Sequence, residues 1–173
     1  MASVLADSPV PPHPSGHRNI VLALDKTEDS EKILRWARQY HKPGDVLHIA
    51  HVAKVVGHKD EIFHGPVGTS IDFHEKSLDE VKTDIEGTKA WFRDRIKELA
   101  DLQDVECIPY LYVEDTSATS AALAKIIGDL ADKVHADCIV AAKSNKTAWE
   151  KFTVGSTARA LLGSSHTVVL VAS

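Results

Sequence analysis

Hydrophobic residues follow two alternating patterns along this chain. Short continuous apolar runs, which are typical of strands covered on both faces, lie at residues 19–25, 46–52, 105–113, 138–142 and 167–171. Between these runs, apolar residues at steps of three and four predict amphipathic helices at residues 30–41, 77–99, 123–134 and 155–162. The pattern therefore alternates strand and helix from residue 19 onward.

This alternation predicts a doubly wound α/β fold, a five-stranded parallel sheet with helices on both faces. The expected strand order is 3-2-1-4-5, with right-handed crossovers. In a Rossmann-like sheet of this kind, a ligand binds beyond the carboxyl ends of the strands, where the strand order reverses. The reversal lies between the first and fourth strands, so the loops that begin at Asp25 and Ala142 are the candidates for a binding site.

Two of the predicted helices begin with recognisable capping residues. Ser77 and Glu80 have the Ser-x-x-Glu spacing of a capping box, in which each side chain satisfies a backbone donor of the first turn. Residues 114–117, with the sequence EDTS, offer several N-cap candidates for the third helix. These residues predict where the second and third helices begin.

Length and composition favour one domain at residues 18–173 behind a flexible Pro-rich tail at residues 1–17. The 173 residues are 43% hydrophobic and 26% charged, which is typical of a folded soluble domain. The formal net charge of -5 argues against a nucleic-acid or anionic-membrane partner. No apolar run is long enough to span a membrane and no signal-peptide pattern begins the chain, so we expect a cytoplasmic protein.

Motifs for catalysis and metal binding are missing from the sequence. It has no GxSxG, GxxxxGK[ST], GxGxxG or HExxH segment. His48 and His51 lie three residues apart on a predicted strand, so they are expected to point to opposite faces and not to share a metal ion. Cys107 and Cys138 lie in apolar runs without metal-ligand spacing, which predicts reduced thiols.

The segment after the fourth strand has the features of an anion site. It carries Lys143, Lys146, Lys151 and Arg159 against Glu150, a net charge of +3 in an acidic chain. Residues 155–157, Gly-Ser-Thr, precede or begin the last helix, whose N-terminus would offer backbone N–H groups to a phosphate. The alternative is that the hydroxyls only cap the helix and the lysines are solvated.

Several of these segments together resemble the universal stress protein family over residues 18–173. The first half contributes DKTEDS at residues 25–30, LRWA at 34–37 and PGDVLHIAHV at 43–52, a set that looks like the eukaryotic, plant-like branch. The second half contributes GST at residues 155–157 and a closing VVLV strand at 168–171. The family motif G-x2-G-x9-G-(S/T) keeps its spacing here.

The resemblance implies an ATP or AMP site, with or without magnesium. In ATP-binding members, the positions of Asp25 and Val52 contact adenine, Thr27 belongs to the same first-strand motif, and the glycine motif surrounds ribose and phosphates. Ala142 and Asn145 replace the first two motif glycines. A Cβ at either position would weaken binding if the backbone is left-handed or the ligand comes very close. The implied phosphate-binding residues are Gly155, Ser156 and Thr157.

Two functions remain open from the sequence. The first is a non-catalytic or at most weakly ATP-hydrolysing nucleotide-binding module of the stress response. The second is a nucleotide-independent dimeric scaffold or chaperone-like protein, which the two missing glycines favour. The last strand would be an unpaired hydrophobic edge, and such edges are covered in proteins. Since family members commonly pair at this strand, we expect a homodimer through Val168, Val169, Leu170 and Val171.

Overall fold

The structure confirms the predicted alternation of strands and helices. The computed structural model of the chain describes residues 17–55, 78–115, 118–142, 156–164 and 167–172. The strands are β1 (Asn19–Leu24), β2 (Val46–Val55), β3 (Glu106–Asp115), β4 (Cys138–Ala142) and β5 (Val168–Ala172). The helices are α1 (Ser30–Tyr40), α2 (Leu78–Lys97), α3 (Ser120–Lys133) and α4 (Ser156–Ser164).

All five strands form one parallel sheet in the order β3-β2-β1-β4-β5. The predicted fold class and strand order are therefore confirmed. β1 pairs with both β2 and β4, so the strand order reverses at β1 and the crevice between β1 and β4 opens at their carboxyl ends. We call this end of the sheet the carboxyl edge and the opposite end the amino edge.

Two helices cover each face of the sheet. Ile33 and Leu34 of α1 and Phe92 of α2 are buried against one face, together with alternate residues of the central strands. Ile127 of α3 and Leu161 of α4 are buried against the other. We call these the α1/α2 face and the α3/α4 face. None of the helices described in the structure is long and apolar enough to cross a membrane.

The start of α3 differs from the sequence prediction. Glu114 and Asp115 belong to β3, because that strand continues to pair with β2 as far as Val55. The N-cap is Thr119, whose Oγ1 accepts a hydrogen bond of 3.2 Å from the backbone N–H of Ala122. The predicted cap at residues 114–117 is therefore wrong. The predicted capping box at Ser77 and Glu80, and all of the predicted tail except His17, lie outside the described residues or side chains.

The amino edge is joined by an ion pair and by backbone bonds. Arg18 donates from Nε and Nη2 to both carboxylate oxygens of Asp45, at 3.0 and 2.5 Å, and the N–H of Lys42 adds a third bond of 2.7 Å. Burial alone would raise the pKa of Asp45, but the bonds from Arg18 and Lys42 outweigh it and lower that pKa. Gly44, at φ +87°, donates its N–H to the carbonyl of Asp104. The edge is thereby fixed in place.

The two outer strands present different edges. β3 contains Pro109, which pairs with Ile49 and has no N–H to donate. β5 instead exposes apolar side chains: Val168 is 62% exposed and Leu170 is 36% exposed. Of the two outer strands, β5 is the one with an apolar surface.

Cys107 and Cys138 are free, and burial raises the pKa of both thiols.

Candidate functional site

The carboxyl edge brings several of the predicted site residues together. Leu24 pairs with His51, so Asp25, one residue further, is level with Val52 on β2. On the other side, Ala23 pairs with Ala141, which places the end of β1 beside Ala142. Asp25 is exposed, while Val52 and Ala142 are partly buried. Ser156 and Thr157 are the first residues of α4, and Asn145 and Gly155 lie outside the described residues.

The carboxylate of Asp25 is held by two hydroxyl groups. Thr27 Oγ1 donates to Asp25 Oδ1 at 2.6 Å, and Ser30 Oγ lies 3.1 Å from the same oxygen. Ser30 also donates to the backbone carbonyl of Asp25, so its single proton is shared between two acceptors. Within the described part of the chain, Oδ2 has no hydrogen-bond donor. One oxygen therefore fixes the side chain, while the other has no donor among the described residues and belongs to an exposed side chain.

The turn that carries these residues is short and well bonded. The N–H of Asp29 donates to Thr27 Oγ1 at 3.3 Å, and the N–H of Ser30 donates to the Thr27 carbonyl at 3.3 Å. Lys32 pairs with Asp29 at 2.9 Å. Short Thr and Ser hydroxyls can bond the backbone two or three residues away, which is why this sequence forms a turn and starts α1. The turn fixes Asp25 relative to the sheet.

The peptide unit that joins Leu24 to Asp25 is bonded on both sides by side chains. His51 Nδ1 lies 3.0 Å from the Leu24 carbonyl oxygen, and the Asp25 N–H donates to Ser30 Oγ at 2.9 Å. Because a carbonyl oxygen only accepts, Nδ1 must carry the proton of the neutral ring. His51 was not predicted as a site residue. Only the pairing of Leu24 with His51 reveals its role, and the sequence does not specify that register.

The ring of His51 lies between the sheet and α2. Its centroid is 4.8 Å from that of Trp91, in an edge-on arrangement, and 5.9 Å from that of Phe92. Burial lowers the pKa of His51, and Lys26 lowers it further, while the bond to Leu24 and the charge of Asp25 only partly oppose the shift. The imidazole is therefore neutral at neutral pH.

His48 points to the other face, as predicted. Its Nδ1 lies 3.2 Å from Tyr110 Oη and its Nε2 lies 3.4 Å from Asn19 Oδ1, and the side chain is fully buried. The two histidines of β2 thus serve different environments. Over residues 17–55, 78–115, 118–142, 156–164 and 167–172, no three His, Cys, Asp or Glu side chains are close enough to hold a metal ion.

Ala142 has no backbone strain. The described non-glycine residues with positive φ are Asp104 and His135, so Ala142 is not left-handed. It is the last residue of β4 and pairs with Ala172 in the regular ladder. A glycine is needed where the backbone is left-handed or where a ligand comes very close. Since Ala142 is not left-handed, only the close approach of a ligand would require a glycine here.

The start of α4 is held against the sheet by buried residues. Ala158 and Leu161 are 2% and 0% exposed within the core of the α3/α4 face. Because α4 follows β4 in a parallel fold, its N-terminus lies at the carboxyl edge, where backbone N–H groups of the first turn are unpaired within the helix. The side chain of Thr157 is partly buried there. This arrangement can accept an anion.

A cavity lined by described residues lies at the other end of the sheet. It has a volume of about 530 Å³ and is open, and it lies at the amino edge between residues 44–46, residues 104–106 and His17. Its Asp45 is already paired with Arg18. The cavity is at the opposite end of the strands from Asp25 and does not mark the predicted site.

Comparisons with known proteins agree with the fold. The model of the universal stress protein family matches residues 16–173. A universal stress protein from Archaeoglobus fulgidus superposes with a TM-score of 0.59 and 21% identity, covering 90% of this chain and 98% of that chain. A universal stress protein in complex with cAMP gives 0.52 and 18%, covering 91% and 97%.

An Arabidopsis thaliana family protein with AMP bound is similar as well. It superposes with a TM-score of 0.53 and 13% identity, and 90% of each chain is covered. At these identities the structural likeness establishes the fold. A comparison with curated protein sequences finds no match.

Proposed function

The chain belongs to the universal stress protein family, and on that premise we propose that it is an adenine-nucleotide-binding module of the stress response. The ligand is ATP or AMP, held in the crevice between β1 and β4. The observation that carries the proposal is the exposed Asp25, whose Oδ1 is fixed by Thr27 and Ser30 while Oδ2 has no donor among the described residues. Solved family structures with cAMP and with AMP support the ligand class.

The adenine end of the ligand would use the β1 and β2 ends of the crevice. A carboxylate oxygen accepts from an amino group, so Asp25 Oδ2 suits the exocyclic amine of adenine. Val52 is level with Asp25 on β2 and offers a partly buried apolar surface to the ring. Pre-positioning lowers the entropy lost on binding, since the Asp25 rotamer is already selected by Thr27.

The phosphate end would use the start of α4. Gly155, Ser156 and Thr157 would present backbone N–H groups, as helix N-termini do for phosphates. Ala142 and Asn145 would lie along the ribose, and lysines of residues 143–151 would add positive charge. Magnesium would accompany ATP through the phosphate oxygens, without a dedicated protein cage.

We propose binding and not catalysis as the main activity. A general base must reach the proton it removes. At the described carboxyl edge, His51 is only 5% exposed, which keeps its ring away from a substrate proton. Asp25 Oδ1 is bonded to two hydroxyls and Oδ2 is assigned to the adenine amine, so the proposal leaves neither oxygen to act as a base. The proposed module is non-catalytic or at most hydrolyses ATP slowly.

The remaining parts of the proposal concern assembly and setting. We place the chain in the eukaryotic, plant-like branch on the motifs at residues 25–52, and in the cytoplasm. A homodimer through β5 is supported by the exposed Val168 and Leu170 on an outer strand. Leu170→Lys should convert the dimer to a monomer in light scattering at micromolar concentration, whereas Tyr40→Lys, at another exposed apolar residue, should not.

A second candidate function is a nucleotide-independent dimeric scaffold or chaperone-like protein. It is favoured by Ala142, whose Cβ stands where the family has glycine, together with the apolar surface of β5. This candidate predicts the same dimer and no nucleotide site, so titration separates the two.

The experiment is isothermal titration with ATP and magnesium, and with AMP. Three proteins are compared: the native chain, Asp25→Ala, and a double variant with Ala142→Gly and Asn145→Gly. The proposal expects binding by the native chain, loss with Asp25→Ala, and tighter binding by the double variant. Binding by the double variant alone would mean that the native site is disabled and would favour the scaffold.

A further inference from the structure

The peptide unit between Leu24 and Asp25 is the point where β1 leaves the sheet. Its carbonyl accepts from His51 of β2 and its N–H donates to Ser30 of α1. Both of these side chains are buried, His51 at 5% and Ser30 at 2% exposure. Two elements that flank β1 therefore hold one peptide unit, and the orientation of that unit sets the direction of the Asp25 side chain.

We propose that His51 is a positioning residue for the Asp25 carboxylate, acting through the hydrogen bond from its Nδ1 to the Leu24 carbonyl. This inference rests on the proposed nucleotide site, which it extends to a residue that does not touch the ligand. The donor fixes the end of β1, and the aromatic rings of α2 fix the donor.

The aromatic contacts distinguish this arrangement from a simple buried histidine. Trp91 meets the ring edge-on at 4.8 Å and Phe92 lies at 5.9 Å, so these two side chains of α2 limit the rotation of the imidazole. An Nδ1–H group that is held rigidly fixes the position of the Leu24 carbonyl. A mobile one would only satisfy the hydrogen bond of that carbonyl. The nucleotide site would thus be coupled to α2 through one imidazole ring.

The charge of the ring is part of the same arrangement. From α2 the ring meets Trp91 and Phe92, which are uncharged, and the charged groups that act on it are Asp25 and Lys26 of the β1–α1 turn. A second proton would place a cation in this buried pocket, at a cost that burial imposes. Burial therefore keeps the ring neutral, with its one proton on Nδ1 where the Leu24 carbonyl accepts it.

Two substitutions separate the donor from the ring. His51→Asn keeps an amide N–H close to the position of Nδ1 and loses the ring, whereas His51→Phe keeps an aromatic ring and loses the donor. A purely structural role predicts that affinity follows stability in both variants. The positioning role predicts the opposite order: the Asn variant is less stable yet binds better.

The test measures AMP affinity by calorimetry and stability by urea unfolding on the same proteins. We expect His51→Phe to bind about tenfold more weakly than the native chain, the equivalent of one lost hydrogen bond, and His51→Asn to remain within about threefold. His48→Phe is the matched control, since this histidine is equally buried in the same strand but faces the α3/α4 side. It should lose stability and keep its affinity. A His51→Phe variant that binds AMP like the native chain would overturn the inference.

Failure of the proposed function can be told apart from failure of this inference. If the native chain binds no nucleotide, the amide resonances of Asp25 and Thr27 still report the geometry of the turn. Shifts in His51→Phe with near-native positions in His51→Asn would support the positioning role even then. Unchanged resonances in His51→Phe would refute it.

Discussion

The two edges of the sheet stabilise their strand ends in different ways. At the amino edge, Arg18 and Asp45 form a hydrogen-bonded ion pair. Gly44 and Asp104 are joined there by a backbone hydrogen bond. At the carboxyl edge, the β1 end is held by neutral side chains, and the exposed Asp25 has one carboxylate oxygen without a donor among the described residues. The amino edge satisfies its polar groups internally.

This difference separates the residues that hold the fold from those that are available to a ligand. A carboxylate with all its bonds made inside the protein contributes to stability and offers nothing to a ligand. A carboxylate held by one oxygen is ordered and still has bonding capacity. The comparison predicts that amino-edge substitutions change stability and carboxyl-edge substitutions change binding.

The largest expected effect is on stability, from Asp45→Ala at the amino edge. The change leaves Arg18, which is 32% exposed, without its carboxylate, and the N–H of Lys42 without its acceptor. We expect the free energy of unfolding to fall by about 2 kcal/mol in urea titrations, because three hydrogen bonds to the buried carboxylate are lost while the Arg18 side chain is still partly solvated. AMP affinity should not change.

The control for this substitution is Asp101→Ala, at an exposed aspartate. It should stay within about 0.5 kcal/mol of the native chain. A similar loss in both variants, or weaker AMP binding by Asp45→Ala, would mean that the two edges are not independent.

A smaller stability loss is expected for Gly44→Ala. The backbone at φ +87° is costly for any residue with a Cβ, by about 1–2 kcal/mol. The added Cβ would also lie 1.8 Å from His17 Nδ1, so the His17 side chain must move. Thermal unfolding of the variant would measure the combined effect.

Gly128→Ala provides a control of opposite sign. Gly128 lies inside α3 and nothing stands within 4 Å of the added Cβ, so this change should stabilise the protein by about 1 kcal/mol. If Gly44→Ala and Gly128→Ala changed the stability in the same direction, the backbone conformation at residue 44 would not explain the result.

The two edges should also lose stability in different acid ranges. The native pKa of His51 lies below its ordinary 6.5, so the unfolded chain takes up the proton first and stability falls as pH drops below about 6.5. The native pKa of Asp45 lies below 3.8, so its contribution is lost only as pH falls below about 3.8. Urea titrations across the acid range would resolve the two steps.

Each step has its own variant. His51→Phe should remove the loss in the upper range, and Asp45→Ala should remove the loss in the lower range. A native profile that is flat between about pH 7 and pH 5 would contradict the assignment to His51.

The smallest expected effect belongs to Lys54 at the carboxyl edge. Lys54 is exposed and donates from Nζ to the Ala118 carbonyl at 2.7 Å, just before the N-cap of α3. Lys54→Met should cost about 0.5 kcal/mol in urea unfolding, the usual value for an exposed bond of this type. A loss above about 1.5 kcal/mol would show that this loop contributes more to the carboxyl edge than its exposure suggests.

Much of the fold could be predicted because the central strands, such as β1 and β4, are buried on both faces. A continuous apolar run such as residues 19–25 lacks the alternation of apolar and polar residues that is typical of a strand with one solvent-exposed face. Right-handed crossovers between such strands then restrict the strand order. The opposite directions of His48 and His51 also follow from strand periodicity alone. These are local or topological rules that one sequence satisfies.

The remaining features depend on register, which single residues do not encode. β3 extends to Asp115 because β2 continues beside it. The N-cap of α3 is therefore Thr119 and not a residue of the predicted segment 114–117. Arg18 and Asp45 are 27 positions apart without any periodic signal. At the candidate site, the sequence identified Asp25 and Thr27, but the bond from His51 exists only because Leu24 is its partner across the ladder.

Pro109 limits the way in which copies of this chain can associate. Proline occurs in sheets mainly on edge strands with its nitrogen facing away from the neighbouring strand, so we expect a gap in the row of donors along the outer side of β3. β5 has no proline and carries the apolar side chains Val168 and Leu170. In the proposed homodimer, two copies would join through β5 about a two-fold axis and leave their two β3 edges exposed. Such a pair would not extend by adding further strands, so the exposed apolar strand would not lead to fibres.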